Sequence, residues 1–174
     1  ELEAVGRIAA AHNAIIISDE VWEHVTLDDA QHVSILSIPE ARERAIKIGS
    51  AGKMFSMTGW KVGFACAAPP LAQALARAHQ YLTFTTPPAL QTAVAFGLGK
   101  PAAHFAAMRA DFQRGRDLLA KRLGEAGFVT LPVAGAYFLT LDLAASGIAM
   151  TARDFAFEAV KTAGVATIPY EPFY

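Results

Sequence analysis

The run Ala14-Ile15-Ile16-Ile17-Ser18 constrains the fold more than any other feature of this chain. It is apolar and β-branched, with no polar alternation. Such a strand suits a parallel sheet covered on both faces by helices, whereas a strand with one wet face alternates. The run ends in two acids, Asp19 and Glu20. A second apolar run, 45–48, follows the charged residues Arg42, Glu43 and Arg44. It leads into the small-residue turn Gly49-Ser50-Ala51-Gly52, which presents Lys53. A third run, 62–67, is stopped by Pro69 and Pro70.

Helical periodicity fills the intervals. Residues 1–12 read as the end of an amphipathic helix with Leu2, Val5, Ile8 and Ala9 on one face. Helices are predicted over 70–81, 87–98 and 102–126; prolines suit the first turn of such a helix, and Gly99 and Pro101 stop the second. The longest carries an apolar stripe of Phe105, Met108, Phe112 and Leu119. Gly115 interrupts it at a cost of about 1 kcal/mol against Ala, which a close packing contact would explain. Beyond Gly127 the pattern changes to strands at 128–131, 137–143 and 165–168 with a helix at 151–163, a small α+β layer. The expected boundary lies inside the long helix, giving domains 1–110 and 111–174.

At 53% hydrophobic and 18% charged residues, the 174-residue chain can bury a core and is not disordered. A net charge of −1 gives no basic surface for nucleic acid or an anionic membrane. No apolar run reaches the length of a membrane span. The one cysteine, Cys66, cannot build a disulfide framework, so a reducing, cytoplasmic setting is expected; its apolar neighbours make it read as buried filler. His12, His24, His32, His79 and His104 show no metal-ligand spacing. The start at Glu1 and the end at Ile168-Pro169-Tyr170-Glu171-Pro172-Phe173-Tyr174 read as cuts, so the chain is expected to be part of a longer protein.

An amine and an acid at neighbouring strand ends can hold an aldehyde cofactor and protonate its ring. Gly49-Ser50-Ala51-Gly52-Lys53 is not a P-loop, which needs Gly where Lys47 stands and Ser or Thr where Met54 stands. Taken singly, the residues have plainer readings. Lys53 is a solvated lysine after a strand, Asp19 an ordinary helix cap, Lys61 a surface residue, and Trp22 a ring packed beside the sheet.

The wider pattern gives them a common role. Ser50-x-x-Lys53 followed by Gly59-Trp60-Lys61-x-Gly63, and preceded by Ser18-Asp19-Glu20-Val21-Trp22-Glu23-His24, resembles the fold-type I aminotransferases that use pyridoxal 5'-phosphate. Within them it resembles the class I/II branch near the kynurenine and methionine aminotransferases. The likeness extends through Thr86-Pro87-Pro88-x-x-Gln91 and Gly135-x-Tyr137-Phe138 to Ile168-Pro169, so it covers essentially the whole chain. It implies an α/β fold of the aspartate aminotransferase type. This chain would hold the C-terminal part of the large, mostly parallel-sheet domain and most of the small α+β domain.

The resemblance also implies roles. Lys53 is the Schiff-base lysine and catalytic residue, an amine that can also shuttle a proton. Asp19 is the acid beside the pyridine nitrogen, which keeps the ring protonated as an electron sink. Ser50 and Lys61 hold the phosphate; many relatives carry Arg where Lys61 stands, so a point charge replaces a bidentate fork. Trp22 stands where the family has Tyr donating to the ring oxygen, and an indole N–H is a donor only. Relatives also carry an upstream half with further cofactor contacts, and a downstream Arg for the substrate carboxylate. Arg153 does not match that Arg. The expectation is a homodimeric enzyme moving an amino group from an α-amino acid to a 2-oxo acid, with the 174 residues alone inactive. A β-elimination lyase on the same cofactor and a degenerate, non-catalytic association module are the alternatives.

Overall fold

The computed structural model describes residues 1–173. The chain forms two compact units. The first comprises Glu1–Gln113 with Ala134–Ala136, the second Arg114–Val133 with Tyr137–Tyr174.

The first unit opens with α1 (Leu2–Ala11), followed by β1 (Ile16–Asp19), the short α2 (Pro39–Arg42), β2 (Ala45–Ser50), the single turn α3 (Ala51–Met54) and β3 (Gly63–Ala67). Then come α4 (Pro69–Leu82), α5 (Pro88–Leu98) and α6 (Ala102–Glu125), whose later turns belong to the second unit. The strands form one sheet in the order β1-β2-β3. β1 lies parallel to β2, with Ile16 beside Ala45 and Asp19 beside Ile48. β3 runs antiparallel to β2, with Ser50 beside Gly63 and Ile46 beside Ala67.

Two apolar clusters support the sheet. Ile35, Ile38, Ala41 and Ala45 form one, with Leu2, Ile16 and Leu36 packed on it. Ala51, Val62 and Val94 form the other, which seats α5 against the turn after β2. Gly49 is required by close packing. A Cβ there would lie 2.3 Å from the Phe64 ring on β3, far inside contact distance.

Several expectations are corrected by this packing. On α1 the buried positions are Gly6 and Ala9, while Val5 and Ile8 are exposed. Small residues let α1 approach α2 closely: a Cβ on Gly6 would already meet Glu40, Ala41 and Ile38 at 3.3–3.4 Å. β1 is not covered on both faces, because Ile15 and Ile17 are exposed while only Ile16 packs on a cluster. Cys66 is exposed on β3 instead of buried.

In the second unit β4 (Val129–Thr130) pairs antiparallel with β5 (Leu141–Asp142), much shorter than the apolar runs predict. The helix α7 (Ala152–Ala163) is capped by Thr151, whose Oγ1 accepts from the Asp154 amide at 3.1 Å, and ends at Gly164 with φ +66. The predicted strand at 165–168 does not form: the Val165 amide turns back to the Ala159 carbonyl to close the helix. Phe128 meets Phe155 edge-on at 6.4 Å, and Arg116 donates to the Val133 carbonyl at 2.8 Å. Among the described residues nothing lies within 4 Å of where a Cβ on Gly115 would sit, so none of them makes the close contact expected there. Of the terminal Pro-aromatic run, Tyr174 lies outside the described residues.

Candidate active site

Strand register brings the sequence-predicted residues to one end of the first unit's sheet. The Asp19–Ile48 pair sets the end of β1 beside β2, which runs on to Ser50. Because β3 is antiparallel, its first residue Gly63 lies opposite Ser50, and Lys61 enters the sheet from that same end. In parallel sheets, ligands bind outside the carboxyl ends of the strands. Asp19, Ser50, Lys53 and Lys61 all belong to that end.

The local geometry follows from the small residues. Ser50 caps α3, its Oγ accepting from the Gly52 amide at 3.0 Å. A Cβ on Gly52 would approach Ser50 Oγ to 3.1 Å and the Thr58 Cα to 3.2 Å, so only glycine leaves this turn undisturbed. Thr58 Oγ1 donates to the Gly52 carbonyl at 3.2 Å and braces the turn from the other side. Lys53 is half-buried, and its Nζ sits 5.0 Å from the centroid of the Trp22 ring. That is a cation–π distance, so Trp22 meets the amine with its ring face. Lys61 is exposed and adopts a left-handed conformation, φ 55. Asp19 is exposed, and its Oδ1 accepts from the Val21 amide at 3.2 Å, closing a turn where the cap reading required a helix.

A group that sequence reasoning passed over stands directly behind Asp19. Glu20 is buried, and its Oε1 accepts from the Ile35 amide at 2.9 Å and from Ser18 Oγ at 3.1 Å. Its Oε2 accepts from His32 Nε2 at 2.8 Å and lies 3.7 Å from Lys47 Nζ. Lys47 also pairs closely with Glu23. Burial alone would push the Glu20 carboxyl up, but hydrogen bonds from His32, the Ile35 amide, Ser34 and Ser18 outweigh it and hold the group below its ordinary value. Lys47 is raised: burial works against its charge, and the Glu23 and Glu20 carboxylates overcome it. No spacing in the sequence signals this cluster: Lys47 reaches it because β1 and β2 pair with Ser18 beside Lys47. Ligand atoms of Glu20, Glu23 and His32 also come within 4.8 Å of one another. The Lys47 ammonium already supplies the cation there, and no metal need be invoked.

His24 stacks on Phe105 with ring centroids 4.6 Å apart, and burial lowers its pKa despite the neighbouring Glu23. A cavity of about 470 Å³ is lined by Ser56, His104, Met108 and Asp111 among others, and by none of the five predicted site residues.

Comparison with known proteins decides the family. The family Aminotransferase class I and II matches residues 1–174. This chain belongs to that family. It is 36% identical over 173 residues to the methionine aminotransferase of Escherichia coli (strain K12), covering 99% of this chain and 45% of that protein. It is 35% identical to a kynurenine–oxoglutarate transaminase of Dictyostelium discoideum, covering 100% of this chain and 44% of the relative. The solved structure of N-succinyldiaminopimelate aminotransferase from Mycobacterium tuberculosis superposes with a TM-score of 0.93 at 38% identity, over 100% of this chain and 45% of that one. The fold is therefore that of the aspartate aminotransferase-like transferases, also represented by Thermus thermophilus aspartate aminotransferase variants. The chain spans less than half the length of these aminotransferase relatives.

Proposed function

We propose that the protein carrying this chain is a pyridoxal-phosphate-dependent aminotransferase, acting on an α-amino acid and a 2-oxo acid. The observation that carries the reading is the convergence of one amine, one acid and a hydroxyl–cation pair on a single sheet end. This donor set fits the cofactor. Lys53 offers the amine, Asp19 a carboxylate for the ring nitrogen, and Ser50 and Lys61 a hydroxyl and a cation for a phosphate dianion. Gly52 carries no Cβ, which would lie 3.1 Å from Ser50 Oγ, so the hydroxyl is not crowded from that side. Bound there, pyridoxal phosphate supplies an aldehyde and an electron-withdrawing ring.

The chain's own groups supply the rest. Lys53 moves a proton to and from the substrate α-carbon, and the half-buried position beside Trp22 limits where its amine can swing. Asp19 keeps a proton on the ring nitrogen. Lys61 attracts the phosphate, and Ser50 orients it. The reading carries with it a homodimer and a cytoplasmic location; among the described residues, no helix is long and apolar enough to cross a membrane. The relatives described above are all named for amino transfer, which favours transfer over elimination and over an association module.

The test is borohydride reduction of the natural full-length protein with pyridoxal phosphate, followed by peptide mapping. The label is expected on Lys53. Lys53→Ala is expected to abolish it and to lower amino transfer by roughly a thousandfold or more. A label elsewhere, or ammonia and pyruvate released without any 2-oxo acid acceptor, overturns the reading.

A further inference from the structure

Glu20 is the one buried charged side chain among the described residues, at 5% exposure. Burying a carboxylate is costly unless it is paired and hydrogen-bonded. Here it is compensated: Ser18, His32 and the Ile35 amide hydrogen-bond its two oxygens, and the Lys47 ammonium stands 3.7 Å from Oε2 as an ion-pair partner. These donors come from three separate places: β1 itself, the turn before α2, and β2.

The backbone of the same residue fixes Asp19. The Glu20 amide donates to the Ile48 carbonyl at 2.8 Å, extending the register that pairs Asp19 with Ile48. Its carbonyl accepts from the Glu23 amide at 3.0 Å. Between those two bonds lies Val21, whose amide holds Asp19 Oδ1. We propose that Glu20 is a positioning residue for Asp19: its carboxylate clamps the chain leaving β1 to the Ile35 turn and to β2, and so fixes the place and angle of the Asp19 carboxylate. The clamp also orders the turn that carries Trp22 toward Lys53. This rests on the reading of Asp19 as the acid beside the cofactor ring.

A carboxylate suits this task. The Ile35 amide and the Lys47 ammonium can only donate, and an ionised carboxyl is the side chain that only accepts. In Glu20→Gln the new NH₂ faces either the Ile35 amide, donor against donor, or His32 and Lys47, where it meets the ammonium and the His32 ring must change tautomer to accept it. An apolar residue of similar length fills the volume but ties nothing. Removing one partner of a buried pair destabilises, because the groups left behind lose their compensation, and of the partners here Lys47 keeps another carboxylate, that of Glu23. Glu20→Met is therefore expected to melt lower than wild type, and positioning is told from general support by where exchange changes.

The experiment uses the natural full-length protein as wild type, Glu20→Met and Glu20→Gln, with Glu3→Gln on exposed α1 as control. Amide hydrogen exchange is measured without cofactor, and pyridoxal phosphate affinity by titration of the bound-cofactor absorption band. Both Glu20 variants are expected to speed exchange at Ile35 and Val21 about tenfold or more, with β2 and β3 amides unchanged. Cofactor affinity is expected to fall about tenfold, equivalent to about 1.4 kcal/mol, at a temperature where both variants remain folded. Exchange and affinity at wild-type values in both variants overturn the proposal. So does acceleration spread evenly over all three strands, which marks Glu20 as a general support. If the wild type binds no cofactor, the functional reading falls, while the exchange measurements still judge the clamp.

Discussion

Burial opposes the charge on both Glu20 and Lys47, yet each is shifted toward its charged form, so their partners more than offset desolvation. The sign of the resulting pH dependence is fixed. Glu20 is lowered from 4.5, so its contribution to stability is full above that value and is lost as pH falls through the folded-state value. Lys47 is raised from 10.5, so its contribution is full below that value and is lost as pH rises through the folded-state value. His24 is lowered from 6.5 chiefly by burial; the unfolded chain takes up its proton first, and stability falls as pH drops below 6.5. Urea midpoints measured against pH are expected to decline in two stages on the acid side. His24→Phe should remove the first and Glu20→Gln the second. An unchanged acid limb in Glu20→Gln would rule out that assignment. The strand-end positions of Lys53, Asp19, Ser50 and Lys61 were legible in the sequence because they follow or flank the apolar runs at short spacings; the roles proposed for them come from the family resemblance. Glu20 was not legible, because His32 and Ile35 reach it only through the tertiary path of the turn before α2.

Helix α6 shows what propensity says when packing is silent. Gly115 sits inside it with open space around a built Cβ, and its φ is not left-handed. Gly115→Ala is expected to stabilise by up to about 1 kcal/mol, which for a chain of this size raises the melting temperature by about 2–4 °C. A loss of stability would mean that something packs on that face. Gly49 is the opposite case, since the Phe64 ring already occupies the place of a side chain. The helices α4, α5 and α7 were readable from proline, glycine and apolar spacing to within a residue or two. The strands of the second unit were not, because Phe128 and Tyr137 are apolar without being paired. Composition alone cannot tell a strand from an apolar loop. β1 misled in another way: its unbroken isoleucines promise cover on both faces, and nothing among the described residues covers Ile17.

At the scale of the molecule, the first unit exposes Ile17, Tyr81, Leu82, Phe84 and Phe96 to solvent. That much exposed apolar surface marks an interaction face or an aggregation hazard. The 174-residue chain made alone is expected to self-associate and to bind ANS, read by sedimentation equilibrium and dye fluorescence. A dye-silent monomer would contradict this. The class of fold was legible because the strand–turn–lysine block is local, and the uncovered faces were not, because cover is a property of neighbours. The strand order has one further consequence, in chain entropy. Ser50 pairs with Gly63 across a short hairpin-like connection, whereas Ile16 must find Ala45 across a longer stretch of chain. Loop closure costs more for the longer stretch, though only logarithmically. The amine, hydroxyl and cation of the site are therefore near neighbours along the chain and cheap to gather. The acid is the component whose arrival depends on long-range closure.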